Sequence, residues 1–223
     1  MCRRDLFWLA LALGAIPVHA DRDLDLQLFD AAREGATAKV AALVQQGAAV
    51  DARNRLGNTA VNLAAQGGHA ETVRLLLARG ADPKKPNLRN ITPLMGAAFI
   101  GSSEVARLLL EAGATVDGED STQKTAMVYA AGNGYVEIVT LLLDRGVAVN
   151  RRYHNDLTAL MWAAGYGHVE TLRLLLDRGA DPQLRDNRGK TAFQMASEEG
   201  HAEAARLLQE RAAAAEGGRR PDQ

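Results

Sequence analysis

The chain has 223 residues, with 26 Lys and Arg against 27 Asp and Glu, and a formal net charge of −1. That balance gives no general drive toward nucleic acid or an anionic membrane surface. Hydrophobic residues make up 47%, enough for a packed core, and a single cysteine excludes a disulfide framework or a Cys-based metal site.

Residues 1–20 read MCRRDLFWLALALGAIPVHA. Arg3 and Arg4 precede an apolar run, Leu6 to Ile16, that is too short to span a bilayer comfortably. Val18, His19 and Ala20 place small residues where a signal peptidase reads, and Asp21 opens a charged segment. This is the layout of a secretory signal peptide, with cleavage expected after Ala20. Arg3-Arg4-Asp5-Leu6-Phe7 also resembles a twin-arginine pattern, but basic pairs are ordinary in leaders, so the general secretory route is the expectation. Losing Arg3, Arg4 and Asp5 leaves 24 basic and 26 acidic residues. Cys2 would leave too, and a thiol-free mature chain suits an oxidising compartment. With an Ala- and Arg-rich, bacterial-looking composition, this points to a periplasmic protein with no membrane insertion after cleavage. Nucleic acid as a partner conflicts with that destination.

From about residue 24 the chain repeats with a period of 33. Gly35, Gly68, Gly101, Gly134, Gly167 and Gly200 keep this step. So do Ala31, Ala64, Ala97, Ala130, Ala163 and Ala196, and Leu43, Leu76, Leu109, Leu142, Leu175 and Leu208. Thr59, Thr92, Thr125, Thr158 and Thr191 form a fourth register, and Gly47 to Gly179 a fifth. Registers that agree without an insertion mean stacked units, each unable to bury its apolar face alone. In Thr158 to Asp181, TALMWAAGYGHVETLRLLLDRGAD, the unit is a helix, a glycine turn, a second helix with Leu172, Leu175 and Leu176 on one face, and a glycine stop.

This pattern resembles the ankyrin repeat, G-x-T-P-L-H-x-A-A-x-x-G-H, over about residues 24–210. The resemblance implies an all-α solenoid of helix-turn-helix units joined by hairpin loops. Six repeats are expected, at about 24–51, 52–84, 85–117, 118–150, 151–183 and 184–210. They form one domain over 21–210, with atypical terminal caps. Residues 211–223, RAAAAEGGRRPDQ, are expected to be a frayed helix end and a disordered tail. The Thr hydroxyls should cap the first helix of each unit. Only Pro93 keeps the family's proline, and Asn62, Met95, Val128, Met161 and Gln194 replace its histidine, which puts the usual inter-repeat hydrogen bond in doubt. Two residues before Thr the hairpin needs a left-handed residue. Gly57, Asn90, Asp156 and Gly189 suit it and Gln123 does not, so a distorted fourth hairpin, helped by Gly118, is expected.

The chain shows no G-x-S-x-G, H-E-x-x-H, phosphate-binding loop or cysteine pair. His69, His168 and His201 share one register and are expected to pack and cap. Equivalent sites on adjacent repeats lie roughly 10 Å apart, too far to share a metal. Glu71, Glu104, Glu137, Glu170 and Glu203 recur at the period and read as a solvated helix face. No catalytic residue, cofactor or metal site is expected.

Function should then lie where the repeat is broken. Proteins of the resembled family bind partners on hairpin tips and the concave face of the first helices. By register, Leu88, Arg89, Ile91, Phe99, Ile100, Tyr129, Arg152, Tyr153, His154, Trp162 and Tyr166 fall there. Trp162 and Tyr166 are one helical turn apart and share a face. Tyr129 is open to a second reading, as a ring filling a core gap. Aromatics and Arg dominate interface hot spots because they bury much area at modest entropy cost. The expected function is non-enzymatic binding of another protein, as an envelope adapter or stress-protection factor. One alternative is an immunity protein that neutralises a periplasm-targeted toxin. Another is a small-ligand or metal binder on the aromatic groove. Oligomeric state stays open.

Overall fold

A computed structural model describes residues 18–217. The expected leader therefore lies outside the described residues except for Val18–Ala20, which open the first helix. Twelve α-helices follow in order: α1 (Val18–Glu34), α2 (Thr37–Gln45), α3 (Ala60–Gln66), α4 (Ala70–Ala78), α5 (Pro93–Ile100), α6 (Ser103–Glu111), α7 (Ala126–Gly132), α8 (Val136–Asp144), α9 (Ala159–Gly165), α10 (Val169–Asp177), α11 (Ala192–Glu198) and α12 (Ala202–Gly217). There is no strand among the described residues. Nor is any described helix long and apolar enough to cross a membrane.

Each odd-numbered helix packs on the even-numbered helix that follows it. The odd-numbered helices stack on one another from α1 to α11, and the even-numbered helices from α2 to α12. The result is a two-layer solenoid, as the 33-residue period requires. The alanine register, Ala31 to Ala196, is fully buried in the odd-numbered layer, where its small side chains let the stacked helices lie close together. The leucine register is buried in the other layer. Each such leucine contributes about 1.5–3 kcal/mol relative to exposure, but only with a neighbouring repeat in place.

Threonine starts each inner helix from α3 onward. The Oγ1 atoms of Thr59, Thr92, Thr125, Thr158 and Thr191 accept from the N–H groups of Asn62, Met95, Val128, Met161 and Gln194 at 3.2–3.4 Å. Where the resembled family has histidine, these side chains differ in what they add. Asn62 accepts from the Thr59 N–H at 2.9 Å and donates to the Lys85 carbonyl of the next repeat at 3.1 Å. Met95 and Met161 offer only sulfur, 3.5 and 3.4 Å from the Thr92 and Thr158 N–H groups.

The turn glycines combine two needs. Gly101 has a left-handed φ of 82°, and a Cβ built there would lie 2.4 Å from the Tyr135 ring of the next repeat. No other residue fits both conditions.

A further register organises the hairpins. Asn54, Asn87, Asp120 and Asp186 each turn a side-chain oxygen inward. That oxygen accepts from the N–H groups two and four residues on, at 2.7–3.0 Å. These bonds correct the expectation for the fourth hairpin. Gln123 is left-handed there, at φ 60°, because Asp120 holds Thr122 and Lys124 on either side. Gly118 is not left-handed; it lies against Thr92 and Met95. The irregular hairpin is the fifth, where Asn155 and Asp156 are both left-handed within a short 3-10 turn, His154–Asp156.

The C-terminal expectation also needs correction. Helix α12 continues through Gly217, so residues 211–217 are helical rather than a disordered tail. The run of alanines after Arg211 explains this, since alanine has the highest helix propensity and Ala212 replaces the stop glycine. Residues 218–223 lie outside the described part.

Candidate interaction groove

Two adjoining clefts open between the hairpins and the odd-numbered helices. The first, about 520 Å³, is lined by Leu56, Leu88, Arg89, Ile91, Phe99, Ile100 and Tyr129, among others. The second, about 380 Å³, is lined by Phe99, Lys124, Tyr129, Asn133, Trp162, Tyr166 and His168, among others. Phe99 and Tyr129 form the wall they share. The clefts together span repeats two to five.

Helix α5 presents Phe99, 58% exposed, at its C-terminal end. The Phe99 and Tyr129 rings meet edge to face, with centroids 5.6 Å apart and planes at 88°. Tyr129 is half-buried, so both readings of it hold in part: its ring walls the groove while its hydroxyl is tied down. The hydroxyl donates to the carboxylate of Asp120 in the hairpin of the same repeat. Burial pushes this phenol up to about 12, and the acceptor carboxylate adds to the rise. Burial pushes Asp120 up as well. The hydrogen bonds from Tyr129, Lys124 and Thr122 outweigh it and hold the carboxyl below its ordinary value.

Trp162 and Tyr166 share a face as expected. Their rings stack at 6.2 Å with planes 11° apart, and Tyr166 also stacks on His168 at 6.4 Å. Tyr166 is 57% exposed, whereas Trp162 is half-buried and its indole N–H has no partner among the described residues. The Lys124 ammonium lies 5.7 Å from the Tyr129 ring centroid and 5.6 Å from that of Trp162, so one cation joins repeats four and five.

Eight of the eleven residues expected at a binding surface line these two clefts. Ile100 has a second role. The register that holds His69 has Ser102 in repeat three, and Ile100 fills the space, with its Cδ1 3.0 Å from where a Cβ on Gly68 would be. Arg152, Tyr153 and His154 line neither cleft. Arg152 is exposed and donates to the Arg185 carbonyl at 3.0 Å. His154 is exposed in the 3-10 turn.

Tyr153 does not lie on the surface expected of it. It is 8% exposed and belongs to the core. It occupies the inward register of Asn54, Asn87, Asp120 and Asp186, so its ring replaces the side chain that organises the other hairpins. Burial pushes its phenol up to about 12, and the hydroxyl has no partner among the described residues. Arg151 covers the ring, 5.4 Å from the centroid. Without the inward oxygen the fifth hairpin turns differently. The hairpin ladder shows the effect: Leu88 N–H donates to Leu56 O, Ser121 N–H to Arg89 O and Asn187 N–H to Asn155 O at 2.9–3.0 Å. The equivalent bond between hairpins four and five is missing among the described residues.

Leu56, 67% exposed, and Lys124 were not among the expected groove residues. The period carries a signal for Leu56, because Arg89, Thr122, Asn155 and Arg188 hold its register and are all polar. The histidine register is structural. His69, His168 and His201 donate Nε2–H to the carbonyls of Arg33, Gly132 and Gly165 in the preceding repeat, at 2.9, 2.9 and 3.2 Å. Among the described residues no group of three His, Cys, Asp or Glu could hold a metal ion.

A family model described as ankyrin repeats, in three copies, matches residues 19–87, 79–153 and 149–217. A search of curated proteins returned no match. Ankyrin repeats are general protein–protein interaction modules and typically non-enzymatic. The repeat registers, the two-layer stack and this match agree, and the chain belongs to the ankyrin-repeat family.

Proposed function

We propose that the chain is a non-enzymatic interaction module of the periplasm that binds a protein partner through the groove of repeats two to five. Its role is that of an envelope adapter or stress-protection factor. One observation carries the binding reading: Phe99, Tyr129, Trp162 and Tyr166 form a continuous aromatic wall across three repeats, beside the open side chains of Leu56 and Leu88. The exposed members, Phe99, Tyr166, Leu56 and Leu88, have no packing role that requires them, and a partner that covers them gains their burial. Export rests on the leader-like residues 1–20.

The test has two arms. Fractionation of producing cells should place a shortened chain, starting near Asp21, in the periplasm. A pull-down from an envelope extract should then capture a partner on the wild-type chain and lose it on a Trp162→Ala/Tyr166→Ala double variant of unchanged helical spectrum. A full-length chain retained in the cytosol would sink the export half. A partner held equally by both proteins would move the site off the groove. Capture of a delivered toxin rather than a resident envelope protein would assign the immunity role instead.

A further inference from the structure

We infer that the groove's partner is a polypeptide segment that is acidic and carries apolar anchors, docked on the hairpins of repeats two and three. This rests on the protein-binding reading above and narrows it to one kind of partner.

The whole chain is nearly neutral, but its charge is not evenly placed. The hairpin segments 52–58, 85–91, 118–124, 151–157 and 184–190 together carry ten Lys or Arg and four carboxylates. All four carboxylates are already engaged. Arg151 lies 3.6 Å from Glu119, Arg152 3.8 Å from Asp156 and Arg188 2.8 Å from Asp186, while Asp120 accepts from Tyr129. Among the described residues, Arg53, Arg55 and Arg89 face solvent with no carboxylate within bonding distance. The hairpin edge therefore offers cations and no free anion.

These cations sit beside the most exposed leucines. Arg55 precedes Leu56 and Arg89 follows Leu88, with Leu56 67% and Leu88 72% exposed. The Leu88 N–H donates to the Leu56 carbonyl at 3.0 Å, so the two tips are side by side. Both leucines open on the 520 Å³ cleft. A complementary segment thus places apolar side chains in that cleft and carboxylates against Arg55 and Arg89.

Other occupants fit less well. The chain's own residues 211–223 carry three Arg, one Glu and one Asp, which is the wrong sign. Nucleic acid would use the cations but needs ring faces for base stacking. Most of those faces are taken: Trp162 and His168 stack on Tyr166, and Lys124 lies over Tyr129 and Trp162, which leaves the single ring of Phe99 exposed beside the tips. What remains open at the tips is aliphatic.

The test is selection of a random 16-residue peptide library on the purified full chain. Affinities of the winners and of a 16-residue oligothymidylate are then measured by fluorescence anisotropy. Two surface variants, Arg55→Glu/Arg89→Glu and Leu56→Ser/Leu88→Ser, are compared after a melting curve shows each is folded. The inference expects winners rich in Asp, Glu, Leu and Phe, weakened about tenfold or more by either variant and weakened by salt. Basic or neutral winners that depend on the leucines but not on the arginines would overturn the inference and leave the groove reading standing. Winners indifferent to both variants, or none at all, would overturn both. Oligothymidylate bound more tightly than any peptide, and released by Arg55→Glu/Arg89→Glu, would replace the protein segment with nucleic acid.

Discussion

The hydroxyl of Tyr129 donates to the carboxylate of Asp120, tying a groove ring to the hairpin of its own repeat. The same carboxylate accepts from the Thr122 and Lys124 N–H groups at 2.7 and 3.0 Å. Asp120 thus holds the turn and the ring together. Asp120→Ala strands these donors and should cost about 2–3 kcal/mol. Asp120→Asn keeps an acceptor, as Asn54 and Asn87 do in their hairpins, and should cost less than ~1 kcal/mol. Urea denaturation of the two variants compares them directly. Equal losses would mean that the hairpin does not depend on this oxygen.

Stability should fall at both ends of the pH scale, for different reasons. Asp120 and Asp186 ionise more readily folded than unfolded. Their contribution is present above the ordinary carboxylate pKa of about 4 and is lost as the pH drops through their folded values. Tyr129 and Tyr153 are raised to about 12. Their neutral forms favour folding below the ordinary tyrosine pKa of about 10, and that contribution is lost between there and pH 12. Ultraviolet titration of the folded chain should show Tyr129 and Tyr153 ionising late, toward pH 12. Tyr129→Phe and Tyr153→Phe should each remove one late step.

Gly101 and Gly165 make a matched pair. Gly101→Ala meets a left-handed φ and the Tyr135 ring, and should destabilise by about 2 kcal/mol or more. Gly165→Ala meets no atom within 4 Å on an ordinary backbone and should be neutral or stabilise by up to ~1 kcal/mol. Thermal melts of the two variants decide this. A tolerated Gly101→Ala would mean that the inter-repeat contact is softer than it looks.

Tyr166→Ala and Leu88→Ala remove exposed side chains, so each should change stability by less than about 0.5 kcal/mol. Each should nonetheless weaken partner binding by about 1–2 kcal/mol or more, as groove anchors do. Calorimetric titration with the captured partner, beside a melting curve, separates the two effects. Lost binding with an intact fold supports the groove. A loss of both would make these residues scaffold.

The fold was legible because the five registers repeat without a break, and each maps onto one buried or left-handed position. Most of the groove was legible from residues that break those registers, such as Phe99, Trp162 and Tyr166. Tyr153 runs against that logic, because an aromatic ring at a hairpin position is exposed only if its register faces outward. Its register, filled elsewhere by Asn54, Asn87, Asp120 and Asp186, points inward to the turn. Leu56 falls outside the expected set, although its register is polar in every other hairpin. Which ring lies over which cation, as Lys124 does over Tyr129 and Trp162, depends on how repeats four and five stack. Spacing alone does not encode that.

The most direct measurement places a photo-crosslinking amino acid at Leu88, Tyr166, Glu104 or Glu170 in producing cells. Leu88 and Tyr166 face the groove, while Glu104 and Glu170 start helices of the other layer. Leu88 and Tyr166 should each give a discrete polypeptide adduct, and Glu104 and Glu170 none. Adducts confined to Glu104 and Glu170, or absent at all four, would contradict binding through the groove.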